Sequence, residues 1–378
     1  MWGIQKNEIC TSYLMMNIEQ QRLLALIRCS LFDRQEDVSL FSSMSFDDWD
    51  VLRRTAKKQG VSAITFHAFE KISVRPEIDN LMDWMYDTTH LEQTISIRIS
   101  VAKSLVKLWN IDKDANSISY DMDMLILKGL SLAYLYPMPK SRGFGDLDVY
   151  TFNGHNIANQ KIKEKGIAID HEDKHDIYKY KGVVVEHHST FVGTDNHTGR
   201  LINDYLQNVI SNDGCKRSIH GWLEPTPNFN VVFLLRHMTR HLAIEGCPLR
   251  NVIDYALFIL KEGDNINWDI TKQVLNSTKM VKAFDTILSV CETLFYVNFS
   301  KYYISTPDPV LSDKVIDEVL NLNLHAESKY STIVRFVKKT QRLFSRKWIY
   351  DTQLLPDYFW REVVWESIRE HIRKPSYI

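Results

Sequence analysis

The hydrophobic period of the chain changes twice along its length, and this limits the fold more than any other feature. Before residue 124 apolar positions recur at helical spacing. Leu23, Leu24, Ile27 and Leu31 line one face of 18–32, and similar stripes run over about 46–58, 62–71 and 78–109. Ser45 with Asp48 three residues on is a variant of the capping box, and Gly60 offers a stop. From 124 to 190 the pattern turns to short strands. Met124-Leu125-Ile126-Leu127 is a buried-strand run ending in Lys128-Gly129, and 131–136 is helical until Pro137 and Pro139 break it. Residues 145–150 alternate polar and apolar, 156–165 reads as a helix stopped by Gly166, and strands are expected at about 167–171, 177–181 and 183–190. Beyond Arg200 helical spacing returns, most clearly over 228–244 and 249–260. The expectation is an α+β protein with a small mixed-sheet core at 116–205, flanked by helical regions at 1–115 and 206–378. Met16 opens a natural helix, so 1–15 reads as a loosely attached extension.

Composition narrows the partners. The 46 Lys and Arg against 47 Asp and Glu exclude a histone-like polycation. Five scattered cysteines without a C-x-x-C pair argue against a disulfide framework or a thiolate zinc site, and fit a reducing, cytoplasmic setting. No apolar stretch approaches the ~18–20 residues that span a bilayer, so no membrane is expected.

Chemistry concentrates at Asp146-Leu147-Asp148. On a strand both carboxylates leave one face while Leu147 and Val149 anchor the other. Two like charges that close repel, and a divalent cation removes the penalty; hard oxygen ligands suit Mg²⁺. Gly129 stands where a strand turns into a helix, so backbone N–H groups there can meet phosphate, and the Arg142 fork lies four residues before Asp146. Glu186 sits in the apolar strand Val183-Val184-Val185-Glu186-His187-His188, where an unpaired carboxylate is costly. Paired beside Asp146 and Asp148, it completes a three-carboxylate cluster. His188 shares its face and His187 points away.

The stretch LILKGLSLAYLYPMPKSRGFGDLDVY resembles the core signature of the nucleotidyltransferase superfamily, whose folds are similar to the DNA polymerase β palm. More narrowly it resembles a bacterial family of largely uncharacterised nucleotidyltransferases, with a Lys-Gly strand end, a helix ending near Tyr and Pro, an Arg, an Asp-x-Asp strand and a Glu-x-His strand. Leu130 after Gly129, and Ser131 one place late, depart from the wider superfamily and fit the narrower family. The resemblance implies that Asp146, Asp148 and Glu186 hold two Mg²⁺ ions, with Mn²⁺ as the alternative. One would activate an acceptor hydroxyl and the other would stabilise the leaving pyrophosphate of an NTP, with Glu186 also the base. It implies nucleotide contacts for Lys128, Gly129, Ser131 and Arg142, and further ones for Gly145, His188, Arg250 and Asp254. The acceptor stays open among RNA, a protein side chain, a sugar and a small antibiotic. A non-catalytic nucleotide- or nucleic-acid-binding module on the same fold is the alternative, and a helical interaction protein a second.

Other motifs have plainer readings. Asp121-x-Asp123 reads as a solvated strand entry. His171, His175, His187 and His188 raise zinc, but His171 and His175 lie in a polar hairpin where i,i+4 spacing does not align them. His237 and His241, beside Arg236 and Arg240, suit either packing or a helix roofing the nucleotide site, and Arg250 with Asp254 suits a helical ion pair. Lys329, Arg335, Lys338, Lys339, Arg342, Arg346 and Lys347 form an acid-free run interleaved with aromatics, a candidate nucleic-acid face or a solvated amphipathic helix.

Overall fold

Helix α1 (Ile18–Phe32) begins on a reciprocal cap: the Asn17 side chain accepts from the Gln20 N–H, and the Gln20 side chain accepts from the Asn17 N–H. Ser45 and Asp48 start α2 (Phe46–Lys58) in the same way, and Gly60, at φ +72°, turns the chain into α3 (Ser62–Ala68). The long helix α4 (Ile78–Trp109) follows. The computed structural model describes residues 16–109, 123–172, 174–322 and 332–364. The proposed loose extension, together with Asp121 and Lys329, lies outside them.

A seven-stranded mixed sheet occupies the middle of the chain, in the order β3-β4-β5-β2-β1-β7-β6. β1 (Leu125–Ile126) pairs antiparallel with β2 (Leu147–Tyr150) and parallel with β7 (Leu223–Pro225). β2 pairs parallel with β5 (Val183–His188), which pairs antiparallel with β4 (His175–Tyr180), and β3 (Asp170–His171) closes that edge. At the other edge β6 (Cys215–Arg217) pairs with β7. These last two strands fall in the region expected to be helical; the Leu223 N–H donating to the Met124 carbonyl at 2.7 Å ties them to β1. The strand expected at 183–190 stops at His188, because the Ser189 and Thr190 N–H groups turn to the Lys174 carbonyl. After Gly129 the chain forms a 3₁₀ helix (Gly129–Leu135), and the next short one (Pro139–Ser141) has its proline at the start.

Alternation along β2 sends Leu147 and Val149 into a core with Val101, Ala102, Leu105 and Trp109 of α4. The other face carries Tyr150 and, from β1 and its end, Leu125 and Leu127 into the larger helical core. α5 (His155–Lys163) links β2 to β3, and α6 (His197–Asp213) precedes β6. The helices α7 (Pro227–Ile244), α8 (Leu249–Glu262), α9 (Trp268–Ser277), α10 (Val281–Phe295) and α11 (Pro309–Leu320) complete the larger core with α1 to α3. The Gln59 amide donates to the Val319 carbonyl at 2.8 Å, so the helical regions before and after the sheet form one packed unit. Then come α12 (Thr332–Ser345) and α13 (Lys347–Asp351). Among the described residues no helix is long and apolar enough to cross a membrane.

Candidate active site

The parallel pairing of β2 with β5 sets Asp148 opposite Glu186 and Tyr150 opposite His188. Partners in register share a face, so Asp148, Glu186 and His188 converge on the side away from Leu147 and Val149. Asp146 stands in the bend just before β2, exposed. Its neighbouring Gly145 carbonyl accepts from Arg98 Nε of α4 at 2.7 Å.

Asp148 is only 3% exposed, a costly place for a charge. Lys128 Nζ lies 3.1 Å from its Oδ1, and His188 Nε2 lies 3.2 Å from the same oxygen. Burial works against the anion, yet the Lys128 charge and the His188 hydrogen bond hold this carboxyl well below the usual range. Asp146 goes the other way: desolvation, then the charges of Glu186 and Asp148, raise it. Lys128 and Arg98 oppose that rise at Asp146. For His188, burial opposes protonation, but hydrogen bonds to Asp148 and Glu186 outweigh it and raise its pKa.

Lys128 ends the β1 segment, and Gly129 follows at φ +66°, a conformation that suits glycine; a Cβ there would meet the Phe144 ring at 3.4 Å. The Lys128 Nζ also lies 3.3 Å from His237 Nε2, which brings α7 over the carboxylates. His237 also stacks on Phe233 and meets the His241 ring, so it both packs within α7 and reaches the Lys128 ammonium. Burial and then Lys128 push its pKa far down.

Arg142 does not face the carboxylates. Its side chain is 5% exposed and is paired with Asp254, also 7% exposed, through Nη2 and through Nε at 3.1 Å. The Tyr136 hydroxyl donates to the same carboxylate at 2.6 Å. Arg250 does not pair with Asp254 as a simple helical ion pair; its Nη1 donates to the Gly143 carbonyl at 3.0 Å. These three residues, expected at the nucleotide, are joined to one another or to the Gly143 carbonyl, in the loop that leads to Asp146. The Asp254 carboxylate offsets the Arg142 charge, and both guanidinium groups donate to the Gly143 carbonyl. Ser131 is also buried, and its hydroxyl has no hydrogen-bond partner among the described residues.

The histidines divide by face. His187 turns to the α4 side, with Nδ1 2.8 Å from Asn159 Oδ1 and Nε2 2.7 Å from Thr151 Oγ1. His171 Nδ1 lies 2.6 Å from Asp176 Oδ1. His175 and His188 meet across the strands: they are opposite each other in the β4–β5 register, with ring centroids 5.2 Å apart. Burial and the neighbouring Lys174 lower the His175 pKa to about 4. His175, Glu186 and His188 each offer a ligand atom within 4.8 Å of the others, an arrangement that can hold a metal ion. Asp123 is buried rather than solvated, 4% exposed, and Arg217 donates to it at 2.8 Å.

The basic run is not one face. Arg346 is buried, with Nε 3.2 Å from Glu318 and Nη1 donating to the Ile244 carbonyl at 3.2 Å, and Lys347 pairs with Asp351. Arg98 and Lys174 were missed from sequence, while His175 was raised there as a zinc candidate and set aside on spacing. Only His175 had a signal: in a tight hairpin it counts back to the partner of His188.

Residues 45–296 match the family model described as an uncharacterised nucleotidyltransferase, a span from the α2 cap to the end of α10. No curated protein and no solved structure matches the chain.

Proposed function

The chain belongs to the uncharacterised nucleotidyltransferase family, and from that premise we propose that it transfers a nucleoside monophosphate from an NTP to an acceptor hydroxyl, releasing pyrophosphate. Asp146, Asp148 and Glu186 are the proposed ligands of Mg²⁺, or of Mn²⁺ in its place. The observation that carries this reading is the register that sets Asp148 opposite Glu186, with Asp146 two residues before Asp148. The donor set fits: three carboxylates, two of them opposite each other in the β2–β5 register, supply hard oxygens. When bound, such a cation supplies Lewis acidity to the hydroxyl and compensates charge on the phosphates.

The chain's own groups do the rest. Lys128 stands at the Gly129 turn as the cation nearest Asp148, and the triphosphate recruits it by offering further anionic oxygens. Glu186, 21% exposed, takes the acceptor proton, and His188 beside it at 3.7 Å keeps the carboxylate oriented. The hydroxyl oxygen then bonds to the α-phosphorus, the bond from that phosphorus to the bridging oxygen breaks, and pyrophosphate departs. Arg142, Asp254 and Arg250 act by holding the 143–145 loop. The sheet is proposed to belong with the polymerase β-like superfamily.

Incubating the protein with each α-labelled NTP, Mg²⁺ and a cell extract tests the reading and identifies the acceptor. Label must move to an extract component in wild type and not with chelator present. Nucleotide binding by calorimetry without any label transfer would point instead to a binding module.

A further inference from the structure

On the same sheet face as the carboxylates, two imidazoles are held in the way that metal-binding histidines are held. His175 is 5% exposed, and its Nε2 lies 3.1 Å from Glu172 Oε2. That contact leaves Nδ1, which is buried and has no hydrogen-bond partner among the described residues. His188, 4% exposed, places Nδ1 3.3 Å from the Thr190 carbonyl. His188 Nε2 faces two carboxylate oxygens, Asp148 Oδ1 at 3.2 Å and Glu186 Oε2 at 3.7 Å, to which its N–H donates; a metal ion bound there takes the place of that proton. Each ring thus has one nitrogen beside an outer oxygen acceptor, and its other nitrogen is left for the cluster, unpartnered in His175 and shared with the carboxylates in His188. An outer acceptor that fixes the tautomer is the usual support of a metal-bound histidine.

We propose that His175, His188 and Glu186 form a binding site for a transition-metal dication, distinct in ligand type from the all-carboxylate site of Asp146 and Asp148. Two imidazoles and one carboxylate favour Zn²⁺ and its neighbours over Mg²⁺, which prefers oxygen and keeps its waters. The three ligand atoms lie within 4.8 Å of one another, against about 3.4 Å between donors on a tetrahedral zinc with ~2.0–2.1 Å bonds, so modest side-chain closure completes the site. The β4–β5 register supplies the rigidity: His175 and His188 are cross-strand partners, and Ile177, two residues along, is the partner of Glu186. The Lys174 ammonium is the charge that opposes this site, since it acts on both Glu186 and His175. Glu186 belongs to both ligand sets, so Zn²⁺ at the histidines competes with the carboxylate site for it.

Zn²⁺ binding at these three residues is independent of nucleotidyl transfer and is measured without activity. Full-length protein stripped with chelator is titrated by calorimetry with ZnCl₂ and with MgCl₂, and its absorption is recorded with CoCl₂. Wild type should bind one Zn²⁺ per chain far more tightly than Mg²⁺, and Co²⁺ should give ligand-field bands of mixed nitrogen and oxygen coordination. Glu172→Ala, which removes the outer acceptor, should weaken Zn²⁺ by about 10–100-fold. His175→Ala should weaken it at least as much, and His171→Ala, which changes an imidazole outside the cluster, should not. Absence of Zn²⁺ binding by wild type, or wild-type affinity in a folded His175→Ala protein, overturns the proposal. The wild-type titration decides the matter even where His175→Ala fails to fold.

Discussion

Replacing Asp254 by alanine tests whether Arg142 braces the fold or grips the nucleotide. In the folded protein the Arg142 guanidinium is 5% exposed and spends two donors on Asp254, which also receives the Tyr136 hydroxyl at 2.6 Å. Asp254→Ala leaves a buried cation with no counter-charge, a loss of about 3–5 kcal/mol. Tyr136→Phe removes one hydrogen bond to a charged group and should cost less, about 1.5–3 kcal/mol. Arg142→Met with Asp254→Leu removes both charges, and the pair should cost clearly less than the sum of its single variants. The assay is urea unfolding followed by circular dichroism on all the variants, with calorimetric NTP binding on those that remain folded. A brace predicts a large stability loss, strong coupling between the two positions and nucleotide affinity close to wild type in the double variant. Near-native stability in Asp254→Ala, or loss of NTP binding in a stable double variant, would refute the reasoning and return Arg142 to the triphosphate.

Two further outcomes follow from single positions. Gly129→Ala puts a Cβ on a residue at φ +66°, in contact with Phe144, and should cost about 1–2 kcal/mol in unfolding free energy; an unchanged urea midpoint would count against the turn geometry. The raised pKa of His188 means that its protonation stabilises the fold fully below the ordinary value of about 6.5, and that this contribution fades as pH climbs through the folded value. The stability gap between wild type and His188→Gln should therefore narrow from pH 6 to pH 9, and a gap that widens would contradict the contacts with Asp148 and Glu186.

Local signals in the chain carried far. The caps at Asn17 and Ser45, the stops at Gly60 and Gly166, and the alternation at 145–150 and 183–188 are each written within a few residues, so helices, the key strands and the Asp148–Glu186 face were legible. What was not legible depends on long-range pairing. Cys215–Arg217 and Leu223–Pro225 are three-residue strands with no apolar period of their own, formed because β1 offers a free edge. Arg142 finds Asp254 across 112 residues of sequence, and Lys128 finds His237 across 109, pairings that no spacing rule encodes. Arg346 looked like one member of a basic face, and tertiary packing buried it against Glu318. His175 was the intermediate case, readable only once the hairpin register was known.

The most direct test of the central claim is pyrophosphate release by wild type and by Asp148→Asn under identical Mg²⁺ and NTP, with the acceptor-containing extract present and the fold of each verified by circular dichroism. Asp148 touches both Lys128 and His188 and sits opposite Glu186, so its charge is the centre of the proposed site. The account predicts chelator-sensitive release by wild type and a fall of at least about 10²-fold in a folded Asp148→Asn protein. Wild-type release from that variant would contradict it.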